Sequence, residues 1–120
     1  MSESAGLEIK DDEYRVCYNP ETATVTFQGE LQLNGMNEYA PIMTLLDEVV
    51  KQAPSVLTLD LRQLEFLNSS GVNVLLSLVI KLRDKKTIQL IVEGSEAVSW
   101  QSRSLNNIRR LMPTAQLNIT

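Results

Sequence analysis

Histidine is absent from the 120-residue sequence, and cysteine occurs once, at Cys17. Without histidine the chain has no Ser-His-Asp or Cys-His catalytic set, no phosphohistidine and no zinc site that requires an imidazole. One cysteine can form neither an internal disulfide nor a zinc site made of thiolates. The phosphate-binding patterns GxxxxGK(S/T) and GxGxxG are also missing. We therefore expect no metal ion, no cofactor and no catalytic residue.

Long apolar runs and excess positive charge are missing as well. No stretch approaches the ~20 apolar residues of a membrane-spanning helix. The beginning, MSESAGLEIKDDE, has neither the basic start nor the apolar centre of a signal peptide. The net charge of −4 argues against nucleic acid as the main partner, because phosphate backbones require a basic surface. These absences predict a cytoplasmic protein that does not insert into membranes.

The length predicts one domain, with a flexible acidic leader over residues 1–12 and a folded domain over 13–120. Two β-branched segments around Asn-Pro predict a hairpin, and Gly29 predicts a bulge in it. Apolar residues three and four positions apart predict helices between the later strands. Asn37 is the predicted N-cap of the first helix, and Pro41 is placed in its first turn. The predicted strands are 14–19, 22–33, 56–61, 87–94 and 116–119. The predicted helices are 38–53, which begins after the Asn37 cap, 69–85 and 102–112.

The resulting element order, β-β-α-β-α-β-α-β, predicts a single small α/β domain. Strands that alternate with helices form a largely parallel sheet, and right-handed crossovers place the helices against it. The opening hairpin makes the sheet mixed.

The stretch Asn68-Ser69-Ser70-Gly71 stands where a buried strand meets the second helix. The first N–H groups of a helix have no internal partner, so a polar cap is expected here whatever the function. Helical spacing places Ser70 on the polar side of the helix and Ser69 toward the packed side. This phasing predicts that Ser69 caps the helix, that Ser70 is presented to another molecule, and that Gly71 leaves room for a partner to approach.

The polar side of the same helix is a candidate binding surface. Asn73 and Ser77 lie on it, and Val74 flanks it. The spacing is equally consistent with a second role for Val74, in which its side chain is partly buried in the core. The candidate partner-binding residues are Asn68, Ser69, Ser70, Gly71, Asn73, Val74 and Ser77.

An exposed serine at a helix N-terminus has two chemical uses. As a nucleophile, Ser70 would need a base, and the chain has neither histidine nor a Ser-x-x-Lys motif. As a phosphate acceptor it is well placed, because a phosphoserine carries about −1.5 to −2 charges that free N–H groups and the helix dipole stabilise. Ser70 is therefore the predicted phosphorylation site, with Ser69 as the second choice.

The segment VLTLDLRQLEFLNSSGVNVLLSLVIKLRDK, residues 56–85, resembles the centre of STAS domains of the anti-sigma-factor-antagonist type. That family has a strand ending in LDL, a short loop, and then Asp, two small residues that usually carry hydroxyls, and Gly at the start of a helix. The element order resembles the family from Tyr14 to the end of the chain.

The resemblance implies a small, non-enzymatic bacterial switch protein that acts in transcription regulation. In this family a serine/threonine switch kinase, often itself an anti-sigma factor, phosphorylates the second hydroxyl residue, which is Ser70 here. A PP2C-type phosphatase reverses the reaction, and the unphosphorylated form binds the kinase. The resemblance thus implies these proteins as partners.

Asn68 departs from the family pattern, which has Asp at this position. An amide keeps the hydrogen-bonding shape of the carboxylate and loses its charge. This difference favours one alternative, a constitutive scaffold or complex subunit in a signalling or transport complex that is not phosphorylated. An enzyme with Ser70 as nucleophile is the remaining alternative.

Overall fold

A computed structural model describes residues 7–120 of the protein, apart from the side chain of Ser102. The described residues form six strands and three helices. The strands are β1 (Leu7–Lys10), β2 (Tyr14–Asn19), β3 (Thr24–Leu31), β4 (Val56–Leu67), β5 (Gln89–Gly94) and β6 (Gln116–Ile119), and the helices are α1 (Gly35–Lys51), α2 (Ser69–Lys85) and α3 (Gln101–Leu111).

The six strands form one mixed sheet in which chain order equals spatial order, β1 to β6. β1, β2 and β3 are antiparallel, and β3 to β6 are parallel. The predicted α/β class is confirmed, and the second and third helices lie within a residue of their predicted positions. Gly29 marks the predicted irregularity, since the register between β3 and β4 shifts beside it and its φ is +89°.

Strand β1 lies inside the segment that the sequence predicts as a flexible leader, so that prediction is wrong for residues 7–10. Ile9 pairs with Val16 of β2, and Leu7 and Ile9 are partly buried against the core. The alternation of apolar and polar residues in LEIK is that of a strand with one buried face. Residues 1–6 of the predicted leader lie outside the described residues.

Helix α1 begins earlier than the sequence predicts. Its N-cap is Asn34 rather than Asn37, and the Glu38 carboxylate accepts a hydrogen bond from the N–H of Asn34 at 3.0 Å. Pro41 consequently lies in the second turn and not in the first. Because proline has no N–H, the Asn37 carbonyl receives no helical hydrogen bond, and both residues are on the exposed side where water can reach that oxygen.

All three helices pack on one face of the sheet. Each connects a strand to the next neighbour in the same direction, so right-handed crossovers bring them to the same side, and α2 contacts both α1 and α3. None of the described helices is long and apolar enough to cross a membrane. The strand residues buried beneath the helices include Val16, Val25, Phe27, Leu57, Leu59, Leu61, Leu90 and Val92.

Strand β4 extends well beyond the end of its pairing with β5, which stops at Asp60. Side chains from the start of α3 replace the missing strand. The fully buried Gln101 donates from Nε2 to the carbonyls of Leu61 and Leu64, at 2.5 and 3.1 Å. Trp100 donates from Nε1 to the Leu64 carbonyl at 3.0 Å. The extension carries the chain to the carboxyl edge of the sheet, where α2 begins.

Candidate functional site

The candidate site lies at the carboxyl edge of the parallel strands, where β4 passes into α2. Only Asn68 separates the two elements. The β3–α1 loop is its neighbour, because β3 and β4 are adjacent parallel strands and Leu31 pairs with Leu67. In parallel α/β sheets this edge is where binding residues collect, since loops and helix N-termini meet there.

Asn68 is the N-cap of α2 and connects three parts of the chain. Its Oδ1 accepts hydrogen bonds from the Gly71 N–H at 3.0 Å and from the Tyr39 hydroxyl at 2.7 Å. Its Nδ2 donates to the Leu33 carbonyl at 2.9 Å. The backbone N–H of Asn68 also donates to the Leu31 carbonyl at 3.0 Å. The side chain therefore fixes α2, α1 and the β3–α1 loop relative to one another.

Tyr39 reaches this network from the buried face of α1. Its side chain is fully buried, and burial raises the pKa of its hydroxyl, while a backbone hydrogen bond with Leu33 acts in the opposite direction. A phenol that stays protonated keeps its O–H as a donor to Asn68. The helical spacing of the sequence indicates only that Tyr39 belongs to the apolar face of the first predicted helix. The signal that could have indicated more is the hydroxyl itself, because a buried Tyr O–H requires a partner.

The two serines take the opposite orientation to the predicted one. Ser69, the first residue of α2, is exposed, and Ser70 is half-buried. The prediction that Ser69 caps the helix is wrong, because Asn68 supplies the cap. Within the described part of the chain, the backbone N–H groups of Ser69 and Ser70 have no hydrogen-bond partner. Two free donors thus lie beside two hydroxyls at the positive end of a 17-residue helix.

Gly71 does not leave room for a partner, so that prediction is wrong. The residue is buried, and a Cβ there would lie 2.3 Å from Leu67 Cδ1 and 2.7 Å from Tyr39 Oη. These distances are far below carbon van der Waals contact. The glycine instead lets α2 approach the end of β4 and the Tyr39 hydroxyl.

The polar stripe of α2 is only partly available to a partner. Asn73 is exposed and Ser77 is half-buried, whereas Val74 is 4% exposed. Val74 and Ser77 line the seam between α1 and α2 with Met43, and an ion pair between Lys81 and Asp47 crosses it. The alternative reading of Val74 as a core residue is therefore correct. Its neighbours Asn68, Ser69, Ser70 and Asn73 remain at the surface or half-buried.

Two exposed apolar side chains adjoin the same edge and were not predicted. Met36 lies in the first turn of α1 and Phe66 near the end of β4, each 44% exposed. Nothing in their sequence context separates them from core residues. Both sit next to the loops that meet at Asn68, so they extend the candidate surface.

Two further side chains with reactive groups, Asp60 and Cys17, lie in strands away from this site. Asp60 accepts two hydrogen bonds from the Arg62 guanidinium, which lowers the pKa of the carboxyl. Cys17 is half-buried in β2. Among residues 7–120, no three His, Cys, Asp or Glu side chains are placed to hold a metal ion.

Comparison with known proteins assigns the chain to a family. The family of SiaC regulatory phosphoproteins matches residues 7–107. The structure of SiaC of Pseudomonas aeruginosa is similar with a TM-score of 0.72 and 14% identity, covering 97% of this chain and 98% of the other.

Two further solved structures have a similar fold. A chain in the crystal structure of the diguanylate cyclase SiaD with its activator SiaC, from the same organism, has a TM-score of 0.71 and 13% identity over 94% of this chain and 97% of the other. An anti-sigma factor antagonist from Mycobacterium paratuberculosis has a TM-score of 0.60 and 24% identity over 95% and 84%. A search of curated proteins finds no match. The predicted STAS-like fold is confirmed, and the chain belongs to the SiaC family of regulatory phosphoproteins.

Proposed function

We propose that this chain is a non-catalytic regulator whose binding to a partner protein is controlled by reversible phosphorylation within the pair Ser69–Ser70. The observation that carries the proposal is the first turn of α2. Two serine hydroxyls lie there beside two backbone N–H groups without partners in the described part of the chain. Family membership supplies the second support, since its members are regulatory phosphoproteins.

A phosphate on this turn would be stabilised by the backbone. A phosphoserine carries about −1.5 to −2 charges, and helix N-termini bind such groups through free N–H donors and the helix dipole. No basic side chain lies in the first turn of α2, so the added charge is not neutralised locally. The surface therefore changes from neutral to strongly negative. That change is large enough to exclude a partner that fits the neutral form.

The two serines have different support as the acceptor. Exposure supports Ser69, which is open to a kinase, while Ser70 is half-buried. The position within the motif of the resembling STAS domains supports Ser70. The proposal therefore assigns the phosphate to the pair, and single variants decide between its members.

The proposed partner is an enzyme of the diguanylate cyclase class. SiaC of P. aeruginosa activates the cyclase SiaD and forms a complex with it, and this chain shares its fold and family. We propose that Asn68, Ser69, Ser70 and Asn73 contribute to the partner surface, with Met36 and Phe66 beside them. Val74 is left out because it is buried.

A serine/threonine switch kinase and a PP2C-type phosphatase are the proposed modifying enzymes. An anti-sigma factor and a role in transcription, which the STAS resemblance implied, are not part of the proposal. The complex of the similar protein contains a cyclase instead.

The experiment begins with protein isolated from its native host and analysed by peptide mass spectrometry. We expect one phosphate on the peptide containing Ser69 and Ser70. Ser69→Ala and Ser70→Ala, incubated with the host's kinase, identify the acceptor, and Ser77→Ala on the same helix is the matched control. Phosphate located elsewhere, or on no residue, would contradict the proposal.

Binding to the host's diguanylate cyclase gives the second readout. We expect the phosphomimetic variant at the acceptor position to weaken binding, with its alanine variant close to wild type. Binding of wild type that neither phosphorylation nor Asp substitution changes would identify the constitutive scaffold instead. Covalent capture of Ser69 or Ser70 by a serine-directed probe would identify an enzyme.

A further inference from the structure

The end of the molecule opposite the two serines carries a basic cleft. It lies between the carboxyl ends of α2 and α3 and the amino ends of β4 and β5, and its volume is about 540 Å³. Ligand pockets commonly have volumes of roughly 300–1,000 Å³. Residues of the wall and floor include Ser55, Arg83, Lys86, Thr87, Met112 and Thr114.

The walls of the cleft are tied together by hydrogen bonds. The Gln89 side chain donates from Nε2 to the Thr114 carbonyl at 2.7 Å, and its backbone N–H donates to the Ser55 carbonyl at 2.9 Å. The floor is apolar and firmly packed, since Ile88 and Met112 are each 4% exposed. The cleft is thus a fixed concavity between secondary-structure elements.

Positive charge is concentrated at the two helix ends that border this cleft, although the whole chain is acidic. Five of the eleven Lys and Arg side chains belong to the final turns of α2 and α3 or to the cap of α2. Asp84 is the one carboxylate in those turns, and it pairs with Arg83 at 3.3 Å. The other four cations make no ion pair with any described residue. The five cations are Arg83, Lys85, Lys86, Arg109 and Arg110.

Compensation of helix dipoles does not account for this charge. Each helix carboxyl end contributes about −0.5 charge, so two ends and Asp84 together offset about two of the five positive charges. A surplus of about three positive charges therefore remains at this end of the molecule, in a protein whose net charge is −4. Two of the five cations, Arg83 and Lys86, line the cleft itself.

We propose that this basic cleft, lined by Ser55, Arg83 and residues 86–89 and 112–114, is a second docking surface that binds an acidic segment of a partner protein. Long exposed Lys and Arg side chains suit the dispersed carboxylates of a polypeptide, and the hydroxyls of Thr87 and Thr114 can donate to them. None of the described residues that line the cleft is an aromatic residue on which a base could stack. It also lies at helix carboxyl ends, whereas compact phosphates bind at helix amino ends.

The location gives this surface an independent role. Helix α2 has 17 residues and is about 26 Å long, with Ser69 at one end and Lys85 at the other. A partner held at the basic cleft leaves the serine pair open to a kinase, phosphatase or second protein. The docking proposal holds whether or not the serines are phosphorylated.

The test uses fluorescence anisotropy with a labelled peptide of ten glutamates and a matched peptide of ten glutamines. We expect saturable one-to-one binding of the glutamate peptide only, weakened by added salt, which screens the charges. Arg83→Glu with Lys86→Glu, the two cations that line the cleft, should weaken it roughly tenfold or more, since charge reversal at an interface replaces attraction by repulsion. The matched control, Lys10→Glu with Arg103→Glu, changes net charge equally and should alter binding less than about twofold. Ser69→Asp should leave this affinity unchanged.

Amide chemical-shift mapping locates the peptide independently of the variants. We expect shifts at Thr87, Gln89 and Thr114, with Ser69 and Ser70 unaffected. Equal weakening by the control pair, or shifts spread over the surface, would overturn the proposal. Displacement of the peptide by lower concentrations of tripolyphosphate, or of a ten-nucleotide single strand, would instead assign the cleft to small phosphates or to nucleic acid.

Discussion

The hydrogen bonds of Asn68 explain why this position has an amide where STAS motifs usually have an aspartate. The Oδ1 atom accepts two hydrogen bonds, and the Nδ2 atom donates to the Leu33 carbonyl. Aspartate has the same shape, but its ionised carboxylate has no N–H to donate. One of its oxygens would then face the Leu33 carbonyl oxygen. The amide is therefore required by the β3–α1 loop, which only the folded chain brings to this position.

We expect Asn68→Asp to lower the free energy of unfolding by about 1–2 kcal/mol at pH 7.5, the cost of leaving the part-buried Leu33 carbonyl without its donor. The helix N-terminus stabilises the new carboxylate by about 0.3–1 kcal/mol, which offsets part of this loss. Protonation of the new carboxyl supplies an O–H donor, so the deficit should shrink as the pH falls. Urea unfolding of variant and wild type at pH 7.5 and 4.5 measures both effects. A variant as stable as wild type at pH 7.5 would contradict this role for Nδ2.

Gly71→Ala tests the packing at the start of α2. The added Cβ would meet Leu67 Cδ1 and Tyr39 Oη, and overpacking of this kind costs about 1–3 kcal/mol. The exposed Asn73→Ala on the same helix is the control and should be nearly neutral. Leu67→Val removes the Cδ atoms, so in a double-mutant cycle it should recover part of the loss. Additive effects of the two substitutions would show that Leu67 is not the obstacle.

Asp60 gives a pH-dependent contribution to stability. Hydrogen bonding to Arg62 lowers the pKa of the Asp60 carboxyl below its usual 3.8, although burial opposes the shift. A depressed pKa stabilises the fold above the ordinary value, and the contribution is lost as the pH falls through the depressed value. Asp60→Asn should therefore cost roughly 0.2–1 kcal/mol at pH 7, a usual range for an exposed ion pair. In denaturant unfolding this difference should shrink as the pH falls below 3.8, and a difference that stays constant with pH would refute the assignment.

At the scale of elements, the extension of β4 depends on α3. Gln101 is fully buried, donates to two β4 carbonyls and accepts from the Ser95 N–H at 2.8 Å. The Gln101 side chain thus supplies hydrogen bonds to β4 where no neighbouring strand does, together with Trp100. These bonds hold the part of β4 that leads to Asn68. The role of Gln101 is invisible in the sequence, where it comes directly before the predicted helix 102–112.

Gln101→Leu should destabilise the protein by about 1–3 kcal/mol, because the Leu61 carbonyl and the Ser95 N–H lose this partner, whereas the Leu64 carbonyl keeps Trp100. Hydrogen exchange of the Ser95 amide should accelerate more than that of amides in β2. Asn107→Leu, exposed on the same helix, is the control. A loss similar to that of the control in urea unfolding would mean that water replaces the glutamine.

At the scale of the whole molecule, the strand order predicts a gradient of protection. β3 and β4 are central in the sheet, whereas β1 and β6 are edge strands of four residues each. Edge elements open locally at lower free energy than central ones. Native-state hydrogen exchange should therefore show the slowest amides in β4, around Leu59, and the fastest strand amides in β1 and β6. Slow exchange in β6 comparable to β4 would indicate that another chain covers that edge.

Sequence patterns determined most of the elements because their causes are local. The helical period of α2 and the β-branched residues of the strands are local signals, since each involves residues close together in the sequence. The junction at Asn68–Gly71 was located for the same reason. The short β1 was missed because a four-residue alternation among acidic residues is a weak local signal.

The sequence by itself determined that this is a one-domain α/β protein without histidine chemistry and that two serines begin a helix. The tertiary structure decided which of them is exposed, which residue caps the helix and why position 71 has no room for a side chain. Those answers depend on Leu33, Tyr39 and Leu67 meeting Asn68 and Gly71. Leu33 and Tyr39 lie 35 and 29 positions from Asn68 along the chain. No local period encodes such contacts, because they arise only when neighbouring strands and helices pack together.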